Sequence, residues 1–142
     1  MEIKTVLVVS RFEMTDIIRV GFEVAGISAA VLQVNDRCAL SILKSNKVNK
    51  VKLLISGIDL LNSSTVFDVY PEEQELHAQK HVVSGFDFVR LARLTDPSVK
   101  ILIMSGNPDY AREAGKLGCS FIGKPFTLRE FAAKIKDVMG IE

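Results

Sequence analysis

Apolar residues fall along this chain in short continuous runs, separated by stretches in which they recur every three or four positions. The runs are Thr5 to Ser10 (TVLVVS), a weaker Ser28 to Val34 (SAAVLQV), Val51 to Gly57 at the head of VKLLISGIDL, Val99 to Ser105 (VKILIMS) and the brief Phe121-Ile122-Gly123. Short, continuously apolar runs fit strands buried on both faces, as in the middle of a parallel sheet. Between them, Met14, Ile17, Ile18, Phe22 and Ala25 share one face of a helix over Glu13 to Ala25, with Gly26 as its C-terminal glycine. Asn35 or Asp36 can cap a second helix with Ala39, Leu40 and Leu43 inward, and Asn46 to Lys50 reads as a polar turn. Phe86, Val89 and Ala92 mark a helix over Gly85 to Leu94, ended by Asp96-Pro97-Ser98. Asn107-Pro108-Asp109 starts a short helix through Leu117, closed by Gly118. Thr127 can cap the last helix, whose face is Leu128, Phe131, Ala132, Ile135 and Val138.

One stretch breaks the rhythm. After Leu60 comes the turn cluster Asn62-Ser63-Ser64, then Pro71-Glu72-Glu73-Gln74-Glu75, which has the Pro and acids of a helix start. The expectation is a single domain over residues 1–142 with a long insertion at about 60–83, carrying one short helix. Strand and helix otherwise alternate, which with right-handed crossovers gives an α/β, doubly wound, flavodoxin-like parallel sheet of five strands. The expected strand order is 2-1-3-4-5. In such sheets chemistry sits just beyond the carboxyl ends of the strands, and for the third strand that means Ser56, Gly57 and Asp59.

Composition narrows the partners. Lys and Arg total 18 against 17 Asp and Glu, a formal net charge of +1, which argues against a dedicated nucleic-acid binder. No apolar run reaches membrane-spanning length and the first residues lack a signal-peptide pattern, so a cytoplasmic protein is expected. Cys38 and Cys119 show no metal-ligand spacing and read as two reduced thiols. His77 and His81 are four apart and would share a helix face beside Glu72, Glu73 and Glu75. That pattern can ligate a metal, but composition favours a solvated charged helix, which is the expectation.

The strand ends VLVV, LLISGIDL, ILIMSGN and FIGKPF, in that order, make the chain resemble the receiver domain of bacterial two-component response regulators over nearly its whole length. In that family an Asp at the end of the third strand takes a phosphoryl group from a histidine kinase. Two acids after the first strand help it hold Mg²⁺, and a hydroxyl and a Lys bind the phosphoryl oxygens. A carboxylate attacking phosphorus builds charge on oxygen, which a metal and a Lys offset.

The resemblance places Ser105 at the hydroxyl position, Lys124 at the Lys position and Phe121 at the aromatic position that reports the state to partners. It places Gly57 at the phospho-acceptor position, and Ser10 and Arg11 at the acidic pair. Asp59 falls two residues past the acceptor, at the border of the metal site. The three carboxylates that would supply nucleophile and metal ligands are therefore missing, so no bound metal or other cofactor is expected. Relative to the family, the segment from Gly57 to Gly85 is longer by about twenty residues and that from Ser105 to Lys124 shorter by about three, so the helix between them should be truncated.

This points to a non-phosphorylatable, non-enzymatic receiver that works by binding a signalling protein, a kinase or an output protein. Two alternatives stand beside it. One is a true receiver with a relocated acceptor, Ser56 or Asp59, with Glu13 as a substitute metal ligand. The other is a small-anion or nucleotide module in which Arg11, Ser105 and Lys124 converge over Gly57, with Asp59 or Asp68 available to pair with Arg11.

Overall fold

The computed structural model describes residues 3–10, 12–58 and 85–140. The strands are β1 (Lys4–Val9), β2 (Ala29–Gln33), β3 (Val51–Gly57), β4 (Lys100–Ser105) and β5 (Ser120–Gly123). The helices are α1 (Thr15–Ala25), α2 (Asp36–Lys44), α3 (Asn46–Asn49), α4 (Gly85–Thr95), α5 (Tyr110–Lys116) and α6 (Leu128–Met139). All four strand pairings are parallel, in the order β2-β1-β3-β4-β5. The order is the expected one, and β3 is the central strand, buried at every position but Lys52.

Strand alternation sends successive side chains to opposite faces, so the sheet carries two cores. Val6, Val8, Val31, Leu53, Ile55, Leu102 and Met104 pack with Ile18 and Phe22 of α1 and Phe131 and Ile135 of α6. Leu7, Val9, Leu54, Ile101 and Ile103 pack with Ala39 and Leu43 of α2, Phe88 and Val89 of α4, and Ala114 of α5.

The helix ends follow their local chemistry. Asn35 caps α2, its side-chain oxygen accepting from the Cys38 N–H at 2.7 Å. Thr127 and Glu130 form a reciprocal capping box at the start of α6. Gly26 and Gly140 end α1 and α6 in the left-handed conformation. The helix before β5 is short, seven residues from Tyr110, as the shortened segment implied.

Three expectations need correction. Ile17 does not face the core: it is 47% exposed, and the buried stripe of α1 is Ile18, Gly21, Phe22 and Ala25. The reason is Gly21, where α6 comes so close that the Phe131 ring takes the space a Cβ would fill. This rolls the helix away from the face that apolar side chains alone suggest. Leu128, in the first turn of α6, is 41% exposed and stands outside the buried stripe of Phe131, Ala132, Ile135 and Val138. The polar turn after α2 is itself a helical turn, α3, and Asn46 holds it in place. Its side chain exchanges hydrogen bonds with the backbone of Val51 and donates to the Asp96 carboxylate. Partial burial pushes the Asp96 pKa up, but bonds from Ser98, Asn46 and the Val99 N–H outweigh it and leave the carboxyl below its ordinary value.

At the same end of the sheet Arg93 ties three elements together. Its guanidinium donates to the carbonyls of Val99 (2.6 Å), Pro97 (3.3 Å) and Gly118 (3.1 Å) and reaches Cys119 Sγ at 3.7 Å. Burial, partly opposed by Arg93, pushes the Cys119 thiol pKa up, and both cysteines are free thiols. The expected insertion and its short helix, with His77, His81 and Asp68, lie outside the described residues. The two residues that flank residues 59–84 are bonded to each other, the Gly85 N–H donating to the Ile58 carbonyl at 2.6 Å. The chain therefore leaves and re-enters the described part of the fold at one point.

Candidate functional site

The site is built at the carboxyl edge of the sheet. Register decides what meets there: Val9 pairs with Ser56, Gly57 with Met104, and Ser105 with Gly123. Ser10 follows β1, Gly57 and Ser105 are the last residues of β3 and β4, and Lys124 follows β5. The Lys124 N–H donates to the Ser105 carbonyl at 2.8 Å, which extends the β4–β5 pairing by one residue. Ser10, Gly57, Ser105 and Lys124 are thus brought to one edge. Arg11 and Asp59 lie outside the described residues, so the proposed convergence of Arg11 with Lys124 receives no geometry.

Gly57 is buried. A Cβ built on it would lie 3.8 Å from Ser10 Oγ and 3.9 Å from Ser10 Cα and Val9 O, all ordinary contacts. A side chain here would therefore point at Ser10, and among the described residues it would fit. Among the described residues, nothing in the packing calls for glycine. Gly57→Ala is expected to raise stability by about 0.5 kcal/mol, because alanine loses less backbone entropy on folding. Chemical denaturation measures this, and a loss of about 1 kcal/mol or more would show that the backbone needs the glycine.

The hydroxyls are already engaged. Ser10 Oγ accepts from the Phe12 N–H at 3.2 Å and Ser105 Oγ from the Asn107 N–H at 3.1 Å, each holding its own loop. Ser56 is fully buried and its hydroxyl donates to the Gly57 carbonyl at 2.8 Å. A phospho-acceptor must meet solvent, so this burial counts against Ser56 as a relocated one. Phe121 and Lys124 are half-buried, Phe121 packing on the α4–α5 side of the sheet beside Tyr110 and Cys119.

Glu13, the candidate substitute ligand, spends its carboxylate on the helix start. Its Oε1 accepts from the Thr15 N–H at 2.7 Å, and bonds from Thr15 hold its pKa below the ordinary value. Among the described residues, no three His, Cys, Asp or Glu side chains come together as a metal site would require. No helix among them is long and apolar enough to cross a membrane.

Sequence reasoning missed one residue of this edge. Gln33, the last residue of β2, turns its carboxamide into the β1–α1 loop. Its Oε1 accepts from the Met14 N–H at 2.8 Å and the Thr15 hydroxyl at 3.3 Å, and its Nε2 donates to the carbonyls of Phe12 (2.8 Å) and Ser10 (3.4 Å). The available signal was its register. Val31 and Gln33 share a strand face, so a polar residue stood in line with a buried one.

No family model and no curated protein sequence matches the chain. Solved structures do. A response regulator receiver domain protein from Clostridium thermocellum superposes with a TM-score of 0.66 at 20% identity, covering 96% of this chain and 94% of that one. A CheY-like response regulator receiver domain protein from Methanospirillum hungatei JF-1 gives 0.68 at 16% identity, with 98% and 95% covered. The receiver domain of NtrX from Brucella abortus gives 0.68 at 15% identity, with 98% and 100% covered. Identities this low speak for architecture alone, and on that evidence the chain has the flavodoxin-like fold of response regulator receiver domains.

Proposed function

We propose that this protein is a receiver-like module of two-component signalling that cannot accept a phosphoryl group and acts by binding a signalling protein, a kinase or an output protein. The observation that carries the reading is Gly57. The resemblance to receivers puts the carboxylate they need at the end of the central strand, and what supports the reading is that this strand ends in a buried residue with no side chain, facing a serine. Aspartate attacks phosphorus with a carboxylate oxygen, and a glycine has no oxygen but its carbonyl, which is part of the backbone. The neutral Ser10 removes one of the carboxylates that would bring a divalent cation to the same place. What remains is the scaffold, which serves recognition rather than chemistry.

Incubation with acetyl phosphate and Mg²⁺ followed by intact-mass measurement is the test. The expected result is an unchanged mass. A stoichiometric phosphate adduct labile to hydroxylamine would show an acyl phosphate and overturn the reading, as it would place the acceptor at Asp59 or another carboxylate.

A further inference from the structure

We propose that Gln33 is a positioning residue that anchors Ser10, Phe12, Met14 and Thr15 of the β1–α1 connection without a cation. Loops that carry metal ligands are organised by the ion, because converging oxygens repel one another until a positive charge sits among them. Here the same loop has been given a neutral organiser. The parallel pairing of β1 and β2 sets Gln33 beside Val8, and the Val34 N–H donates to the Val8 carbonyl at 2.9 Å, so the pairing runs to the last turn of the sheet. From there one carboxamide reaches four groups of a six-residue stretch, the carbonyls of Ser10 and Phe12, the N–H of Met14 and the hydroxyl of Thr15.

The orientation of the amide follows from its partners. A backbone N–H can only donate, so Oε1 faces Met14, and backbone carbonyls can only accept, so Nε2 faces Phe12 and Ser10. The bond to Met14 also does the work of a helix cap. Met14 stands at the N-cap of α1 and offers no capping side chain of its own. Glu13 satisfies the Thr15 N–H and Gln33 the Met14 N–H, so two donors at the helix start are met from two directions. The clamp stands on this geometry. Its meaning for signalling rests on the reading above: a partner that docks on the loop after β1 meets one fixed surface, whether or not divalent cations are present.

Amide hydrogen exchange across residues 10–16, with and without Mg²⁺, tests this on the full chain. Gln33→Met keeps the side chain's length and removes both hydrogen-bonding ends, and exchange at Met14 is expected to accelerate about tenfold, the effect of losing one hydrogen bond. Gln33→Glu keeps the acceptor, so Met14 should remain protected. Added Mg²⁺ should leave exchange of the wild-type loop unchanged. Equal exchange in wild type and Gln33→Met, or slowing of the wild-type loop by Mg²⁺, overturns the proposal. A phosphate adduct on the wild-type protein would defeat the functional reading and leave the clamp standing, whereas an unaffected Gln33→Met would do the reverse.

Discussion

Gly85→Ala is expected to destabilise the protein by about 3 kcal/mol, the upper end of what overpacking a well-ordered site costs. A Cβ at Gly85 would sit 2.5 Å from Ile58 Cα and 2.8 Å from Ile58 O, with Gly57 O closer still. All three are main-chain atoms at the end of the central strand. A side chain in the way can rotate, but this backbone continues directly from β3, which is paired to β1 as far as Ser56 and to β4 as far as Gly57. Relief must come from α4, which would lift off β3 and pull Phe86, Phe88 and Val89 from the core they fill. The 2.6 Å bond from the Gly85 N–H to Ile58 would lengthen with it. Chemical denaturation gives the number directly. A loss below about 1 kcal/mol would mean that α4 can slide at no cost, and that the contact between the two ends of the insertion is not a fixed point of the fold.

The second large effect belongs to Gly21→Ala, with an expected net loss of about 2 kcal/mol. Alanine is the better helix former by about 1 kcal/mol, which works against the loss. The steric term wins because the new methyl would fall inside contact distance of Cδ2 and Cε2 of Phe131. That ring is fully buried and stacked on Phe126, with centroids 5.2 Å apart and planes 21° from parallel, so it has no empty space to turn into. Pairing the change with Phe131→Leu removes the obstructing ring atoms. In a double-mutant cycle the two sites should then couple favourably by about 1 kcal/mol or more. Additive losses would place the strain elsewhere than between α1 and α6.

Gly21 also shows where reading apolar side chains reaches its limit. The 3.6-residue pattern of α1 contains Met14, Ile17, Ile18, Phe22 and Ala25, and a glycine adds nothing to such a pattern. Yet the closest approach of α1 to its neighbour runs over Gly21, and it leaves Ile17, Val20 and Val24 facing outward. The same limit applies to Arg93, which no apolar pattern singles out. It gathers backbone carbonyls from two loops, and backbone groups carry no sequence signature.

The sequence by itself determined the order of the strands and of every described helix but α3, because short continuous apolar runs alternate with stretches of helical period. It also determined which side chains the strand ends carry. Gly57 and Ser10 lack carboxylates in any conformation, and the strand ends locate them whatever the packing. Tertiary structure alone decided what those residues face. That the open side of Gly57 looks onto Ser10 follows from the register of β1 against β3, which pairs Val9 with Ser56. That Gln33 reaches a loop some twenty residues earlier follows from β1 lying beside β2. Hydrogen bonds between segments remote in sequence exist only once a particular pairing has formed. The pairing is selected by the two cores on either side of the sheet, not by the polar residues that come to share its edge.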